Sequence, residues 1–493
     1  MSMVENKTQS KVYKGLSSQT LIAIIMGVLE ISVFALMSRL LSQQDFGYYA
    51  IIIAVVSVFQ SLTEAGLGST VIQRNDATKE FVSTALGLST ILGVFFTVLL
   101  FLLSGPLSIL MGYDDDLANS FRWMSVTLLL CSINSVAQAM FMRTLDFMKF
   151  GLCRMLAYIV SSTIGIVMAI YGHGVNAIIA SVVSNTVLTT FILFVVRGEF
   201  PNVRIYPQYV KDILSYGGWL TASVIVRRIT TELDKFILTR WLPVAQIGAY
   251  NRPAQFLTSI TTKVTDIFDV VLFPILSSFN EDRAKIKDSL LKSISLISWF
   301  GLIFTALLVL GSQIIIDIFF GAEWEWLITV FRVLSLSVLC LFHTAICDCY
   351  FRSLGYVKAY FYARSITCII TLICVFVGAQ YDILGAAIGV LVSRVFDSIF
   401  KLIYLSFKLS VNFLDVIKSL LTPMWLITIV AIACYLIVCY VNCGAYVGVF
   451  VFGVICLAIS ACTPKIFGKD FYESIYLVAK EKIVQQKQNN EMA

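Results

Sequence analysis

Ser38-Arg39-Leu40-Leu41, followed by Phe46-Gly47-Tyr48-Tyr49, returns further along the chain as Thr239-Arg240-Trp241-Leu242, followed by Ile247-Gly248-Ala249-Tyr250. Phe121-Arg122-Trp123-Met124-Ser125-Val126 returns as Phe331-Arg332-Val333-Leu334-Ser335-Leu336. Met142-Arg143-Thr144-Leu145, with Lys149, returns as Phe351-Arg352-Ser353-Leu354, with Lys358. The offset holds at about 200–210 residues and the order is kept, as a duplicated architecture requires. Each copy carries six apolar runs of span length. Parallel six-helix halves around a midplane site are a layout of secondary transporters, which points to transport rather than chemistry.

Composition agrees. A mean hydropathy of +0.87, with 58% hydrophobic and 13% charged residues, excludes an ordinary soluble domain. A hydrocarbon core of about 30 Å needs roughly 20 helical residues per crossing, and about fourteen runs reach that length. In the first copy they lie near 18–39, 46–67, 82–105, 121–141, 152–171 and 174–196. In the second they lie near 214–240, 248–275, 291–316, 327–350, 359–379 and 384–405, and a further pair, 421–441 and 445–463, has no partner in the repeat. None alternates polar with apolar as a membrane barrel strand does, so the expected fold is all-α and polytopic. The division expected is an N-lobe over 1–206, a C-lobe over 207–410, an extra helix pair over 411–465 and a cytoplasmic tail over 466–493. The run after Lys7, Lys11 and Lys14 has no clear small-residue cleavage site and reads as a retained first helix.

Charge sets the orientation. Loops with Arg74/Lys79, Arg143/Lys149/Arg154, Arg197/Arg204/Lys211, Arg283/Lys285/Lys287/Lys292, Arg352/Lys358/Arg364 and Lys401/Lys408/Lys418 alternate with nearly base-free ones. The positive-inside rule makes the basic side cytoplasmic and puts both termini there. The opposite loops are short; Asp114-Asp115-Asp116 and Glu323-Trp324-Glu325 are acidic, and their acids read as solvated helix caps. The basic residues form no continuous stripe, so nucleic acid is not an expected partner. The twelve cysteines scatter through apolar runs and read as small packing residues, and only His173 and His343 could add imidazole ligands. With no phosphate-cradling Gly-Lys-Ser/Thr loop and no hydrolytic triad, neither a cofactor nor built-in ATP hydrolysis is expected, and the chain reads as a transporter rather than an enzyme.

Ser38-Arg39 through Asp45-Phe46-Gly47-Tyr48-Tyr49, Glu64-Ala65-Gly66-Leu67-Gly68 with Ile72-Gln73-Arg74, and Leu233-Asp234-Lys235-Phe236-Ile237-Leu238 through Gly248-Ala249-Tyr250 resemble the Wzx-type polysaccharide flippases. These form the polysaccharide transporter branch of the multidrug/oligosaccharidyl-lipid/polysaccharide exporter superfamily, and the resemblance covers most of the chain. It implies two six-helix lobes around a V-shaped cavity. The cargo implied is an undecaprenyl-diphosphate-linked oligosaccharide, moved across the bacterial inner membrane by alternating access for O-antigen, capsule or exopolysaccharide synthesis. A polysaccharide polymerase and a chain-length regulator are the implied partners. Two pseudosymmetric lobes need no second copy to form a cavity, so a monomer is expected.

A charge at mid-span costs at least about 2.5–3.5 kcal/mol, so each needs a reason. Helical spacing puts Arg228, Thr231, Glu232 and Lys235 on one face, with Arg227 and Asp234 beside it. Arg252, Gln255, Ser259, Lys263 and Asp266 share a second face with Asp269 at its edge, and Arg394 and Asp397 stand one turn apart. The intramembrane bases all fall in the second copy; the first offers Glu30 and Glu64. Guanidinium forks and ammonium groups suit a diphosphate, so Arg227, Arg228, Lys235, Lys263 and Arg394 are the candidate substrate-binding residues. Glu30, Glu64, Glu232, Asp234, Asp266 and Asp397 are candidates for charge balance or for binding a coupling proton or sodium ion. Arg39 and Arg240, repeat-related at the outer helix ends, read as structural. Two alternatives stay open. A cation-coupled multidrug exporter of the same fold would use the acids for organic cations. A membrane glycosyltransferase or polymerase would need a catalytic module that these short loops do not supply.

Overall fold

The computed structural model describes residues 25–64, 78–112, 115–143, 146–198, 203–210, 218–278 and 283–421, with Ile22 and Val71. Over these residues the protein is helical throughout, as the apolar runs require, and no strand occurs. Helix α1 covers 25–40. It is followed by α2 (Gln43–Glu64), α3 (Lys79–Leu110), α4 (Asp115–Arg143), α5 (Phe147–Ile170) and α6 (Val175–Arg197). Then come α7 (Gly218–Trp241), α8 (Val244–Ser278), α9 (Arg283–Leu310) and the short α10 (Ser312–Phe319). A 3-10 turn over Ala322–Leu327 leads into α11 (Ile328–Ser353), α12 (Val357–Ala379) and α13 (Ile383–Lys408). The expected spans 421–441 and 445–463 lie outside the described residues.

Nine described helices are long and apolar enough to cross a membrane, and each overlaps a run expected from the sequence. Helices α7 and α8, 24 and 35 residues long, also form where spans were expected. Their charged residues set them apart from the other nine.

The inward face of α3 is rich in small residues and its outward face in large apolar ones. On α3 the buried residues include Ser83, Thr84, Gly87, Ser89 and Gly93, while Val94, Phe95, Val98, Phe101 and Leu102 are exposed. Lipid solvates large apolar side chains, so helices associate through small residues that let backbones approach. The clearest case is α12 against α13. A Cβ on Gly378 would strike the Gly385 carbonyl, and one on Gly389 would strike the Cys374 carbonyl. Gly385 and Gly389 form a Gly-x-x-x-Gly pair at the start of α13, where Asp382 caps the helix by accepting the Gly385 N–H at 2.6 Å.

Two compact units divide the chain, Met1–Asn251 and Arg252–Ala493. In the first, α3 packs on α4, α5 on α6, and α4 on α6, while α2 packs on α4 and α7. In the second, α9 packs on α11, α12 on α13, and α11 on α13. The same three pairings therefore recur. Arg122 Nε donates to Ser104 Oγ at 3.2 Å, and its repeat equivalent Arg332 donates to Ser312 Oγ at 2.8 Å. Gly93 lies against Leu129 and Ser132, and Gly301 against the equivalents Leu339 and Phe342. Over the ten residues from Phe121 and the ten from Phe331, burial differs only at Trp123, exposed, against Val333, half-buried. The duplication is thus a duplication of contacts.

The stretch after α6 folds back on α3. Ser83 Oγ donates to the Arg204 carbonyl at 3.0 Å, the Tyr206 N–H reaches Thr84 Oγ1 at 3.1 Å, and Tyr209 meets Phe81 edge-on.

Candidate functional site

Helix α7 brings together three of the charged residues expected to share a face, Arg228, Glu232 and Lys235. Glu232 is buried and accepts a hydrogen bond from Lys235 Nζ one turn on. Arg228 Nη1 stands 3.8 Å from Glu232 Oε1, with 44% of its side chain exposed against 6% for the glutamate. Asp234 faces the other way. Its Oδ2 accepts from the Tyr250 hydroxyl at 2.8 Å, and Tyr250 is buried in the first turns of α8. The helical period puts residues 228, 232 and 235 on one side, so a single acid serves two bases. Arg227 and Thr231 are exposed beside them.

The strengths of these contacts differ. An ion pair near 4 Å at a half-exposed arginine contributes about 0–1 kcal/mol, so Arg228 can exchange its partner for another anion at little cost. Lys235, with 13% of its side chain exposed, is held by direct hydrogen bonding to a buried carboxylate. Breaking such a pair by removing one partner costs several kcal/mol.

The second unit holds Lys263, Arg394 and Asp397. Lys263 is exposed on α8, on the same helix as the buried Arg252, which donates to Gln255 Oε1 at 3.3 Å. Arg394 Nη1 donates to Ser337 Oγ of α11 at 2.6 Å. Asp397 is buried in a network that the sequence reading did not assemble. Its Oδ1 accepts from Thr367 Oγ1 at 2.6 Å and its Oδ2 from Lys401 Nζ at 3.0 Å. Lys401, wholly buried, also pairs with Asp348 Oδ1 of α11 at 3.0 Å, and Asp348 Oδ2 pairs with Arg364 of α12. Two acids and two bases from three helices thus cancel. The sequence groups Arg364 and Lys401 with the bases of cytoplasmic loops, whereas the structure places them in this network. The signal that could have joined them was the i, i+4 spacing of Asp397 and Lys401 within a span.

Glu30 is half-buried on α1, and Arg39 and Arg240 are exposed, as expected of bases at helix ends. The side chains of Glu64 and Asp266 lie outside the described residues. Among the described residues no group of three or more His, Cys, Asp or Glu is arranged to hold a metal ion.

A family profile described as "Polysaccharide biosynthesis protein" matches residues 36–329. The chain is 26% identical over 320 residues to the lipopolysaccharide biosynthesis protein WzxC of Escherichia coli, covering 64% of each chain. It is 24% identical over 314 residues to the teichuronic acid biosynthesis protein TuaB of Bacillus subtilis, covering 63% of this chain and 64% of that one. The chain therefore spans a little under two thirds of the length of these relatives. Among solved structures, the lipid II flippase MurJ in an inward closed conformation superposes with a TM-score of 0.71 at 13% identity, covering 91% of this chain and 98% of that one. An inward-facing multidrug resistance transporter of the MATE family gives 0.63 at 15% identity, covering 80% and 94%. At such identities these likenesses establish the fold and leave the cargo open. Apolar spans, duplicated contacts, fold and family profile agree: the chain is a multi-pass inner-membrane protein that belongs to the polysaccharide biosynthesis protein family.

Proposed function

We propose that the protein is a flippase that moves an undecaprenyl-diphosphate-linked oligosaccharide from the inner to the outer leaflet by alternating access. The observation that carries this reading is the cluster on α7. There Arg228, half-exposed and weakly paired, stands beside Lys235 and a buried Glu232. A diphosphate offers oxygens in the fork geometry of a guanidinium and a second charge for an ammonium. As it takes Arg228 and then Lys235, Glu232 is released. A directional cycle needs opposed states that differ in affinity, and the released acid supplies such a difference by taking a proton or another cation. The polyprenyl chain stays in lipid. The names of the relatives in lipopolysaccharide and teichuronic acid biosynthesis support this cargo class.

In this reading Arg227, Lys263 and Arg394 assist with the head group, and Glu30, Glu64, Asp234 and Asp266 set the charge balance. Asp397 balances charge within its own network, where Lys401 already stands as its cation. The repeat copies 1–206 and 207–410 act as the two lobes, with the pair over 411–465 added. The protein works as a monomer beside a polymerase and a chain-length regulator.

The test is deletion of the gene with analysis of lipid-linked oligosaccharides in both leaflets. Repeat units trapped on the cytoplasmic leaflet and loss of surface polymer are expected. Arg228→Ala at normal abundance should reproduce much of that defect. Unchanged glycolipid with altered drug or dye efflux would overturn the reading in favour of a multidrug exporter.

A further inference from the structure

Where α4 ends and α5 begins, Phe141 and Phe150 are buried against each other, with ring centroids 6.1 Å apart and planes tilted by 37°. Arg154, one turn further along α5, lays its guanidinium over the Phe150 ring at 5.7 Å. Arg197, in the last turn of α6, lays its own over the Phe141 ring at 5.6 Å. Helical side chains lean toward the N-terminus of their own helix. Arg154 therefore reaches back along α5 and Arg197 back along α6. The two helices pack as an antiparallel pair, so both heads arrive at one pair of rings. Arg197 Nε is shut off from solvent and has no hydrogen-bond partner, whereas Arg154 is exposed. Among the described residues no carboxylate pairs with either arginine.

The second copy contains a neutralised version. Phe351, Tyr360 and Arg364 have the spacing of Phe141, Phe150 and Arg154. Their geometry matches too: ring centroids 6.3 Å apart, planes tilted by 37°, and the Arg364 guanidinium 5.5 Å over Tyr360. There Arg364 pairs with Asp348, three residues before the first ring. The residue three before Phe141 is Gln138, exposed and uncharged. The frame of rings and arginine is duplicated and the acid is not.

A guanidinium stacked on an aromatic face keeps its N–H edge for an acceptor, and that edge matches phosphate oxygens. The positive-inside argument assigns these helix ends to the cytoplasmic leaflet, where basic pockets between membrane helices take phosphate head groups. We propose that Arg154 and Arg197 bind the phosphate of an anionic lipid in the cytoplasmic leaflet, at a site separate from the charged face of α7. In the second copy Asp348 fills the anion's place; in the first that place is left for a ligand. The lipid is a resident phospholipid or the diphosphate-linked cargo on arrival, and both present the same phosphate oxygens. The cargo outcome rests on the transport reading, while the phospholipid outcome stands without it.

Purified full-length protein in detergent is titrated with phosphatidylglycerol, with undecaprenyl diphosphate and with phosphatidylcholine, whose choline cancels its phosphate. Bound lipid is read by native mass spectrometry. The Arg154→Gln/Arg197→Gln double variant should bind anionic lipid at least about tenfold more weakly than the unaltered chain. Lys408→Gln removes an exposed base of the second copy, seated over Tyr356, and should bind as the unaltered chain does. Gln138→Asp supplies the missing acid, keeps both arginines and should also weaken binding. Arginine-dependent binding of phosphatidylglycerol identifies a resident phospholipid; a preference of at least about tenfold for undecaprenyl diphosphate identifies the cargo. Anionic lipid bound no better than phosphatidylcholine, or equally well with both arginines replaced, would overturn the site. So would an equal loss from Lys408→Gln, which would show general charge attraction. If the double variant fails to reach the membrane, Gln138→Asp decides, and full affinity there overturns the proposal.

Discussion

Lys401 offers the sharpest test of the energetics. It is wholly buried, and its Nζ lies 3.0 Å from both Asp348 Oδ1 and Asp397 Oδ2. At an effective dielectric of about 20, each contact carries roughly 5 kcal/mol of Coulomb attraction, most of it offset by the desolvation of the three groups. Lys401→Met keeps the volume but leaves one uncompensated negative charge among α11, α12 and α13. Removing one partner of a buried pair costs about 3–5 kcal/mol. Helices released within the bilayer still find other partners, so the lower end, about 3 kcal/mol, is expected. For a unit of this size that shifts the unfolding midpoint by roughly 6–12 °C. Lys401→Met combined with Asp397→Asn removes one charge of each sign and should recover most of the loss. The assay is thermal unfolding of the purified protein in one detergent, followed by size-exclusion chromatography. A shift under about 1 °C for Lys401→Met, or a double variant no more stable than the single, would refute the idea that charge balance holds these helices together.

Three further outcomes follow from the geometry. Glu232→Gln leaves Lys235 facing a neutral amide and should reduce export more than it reduces abundance, measured by complementation beside an immunoblot. Tyr250→Phe strips Asp234 Oδ2 of its hydroxyl donor and should destabilise the protein by about 1–3 kcal/mol, read as a lower melting midpoint. Arg122→Ala and Arg332→Ala remove equivalent serine contacts and should lower the midpoint by similar amounts. A large loss from only one of them would show that the copies have diverged energetically.

The grouping on α7 was legible, because Arg228, Glu232 and Lys235 interact within one helix and the helical period alone predicts their meeting. Asp397 was legible only as a buried charge. Its network recruits Asp348 and Arg364 from neighbouring helices, and which residues face each other across helices depends on rotation and register that one strand of sequence does not encode locally. The Gly385-x-x-x-Gly389 contact was missed for a related reason: a glycine pair shows closeness only once its partner backbone is present.

The sequence by itself determined the class of the protein: membrane-spanning, helical, duplicated, and basic on one side. Those properties follow from transfer free energies and from a repeat visible in the order of residues. Only the tertiary structure decided that the duplication extends to matching serine–arginine and glycine contacts, and that Lys401 lies wholly buried between two carboxylates. Those outcomes are set by how closely helices approach, and that distance is fixed jointly by every small residue along two faces at once.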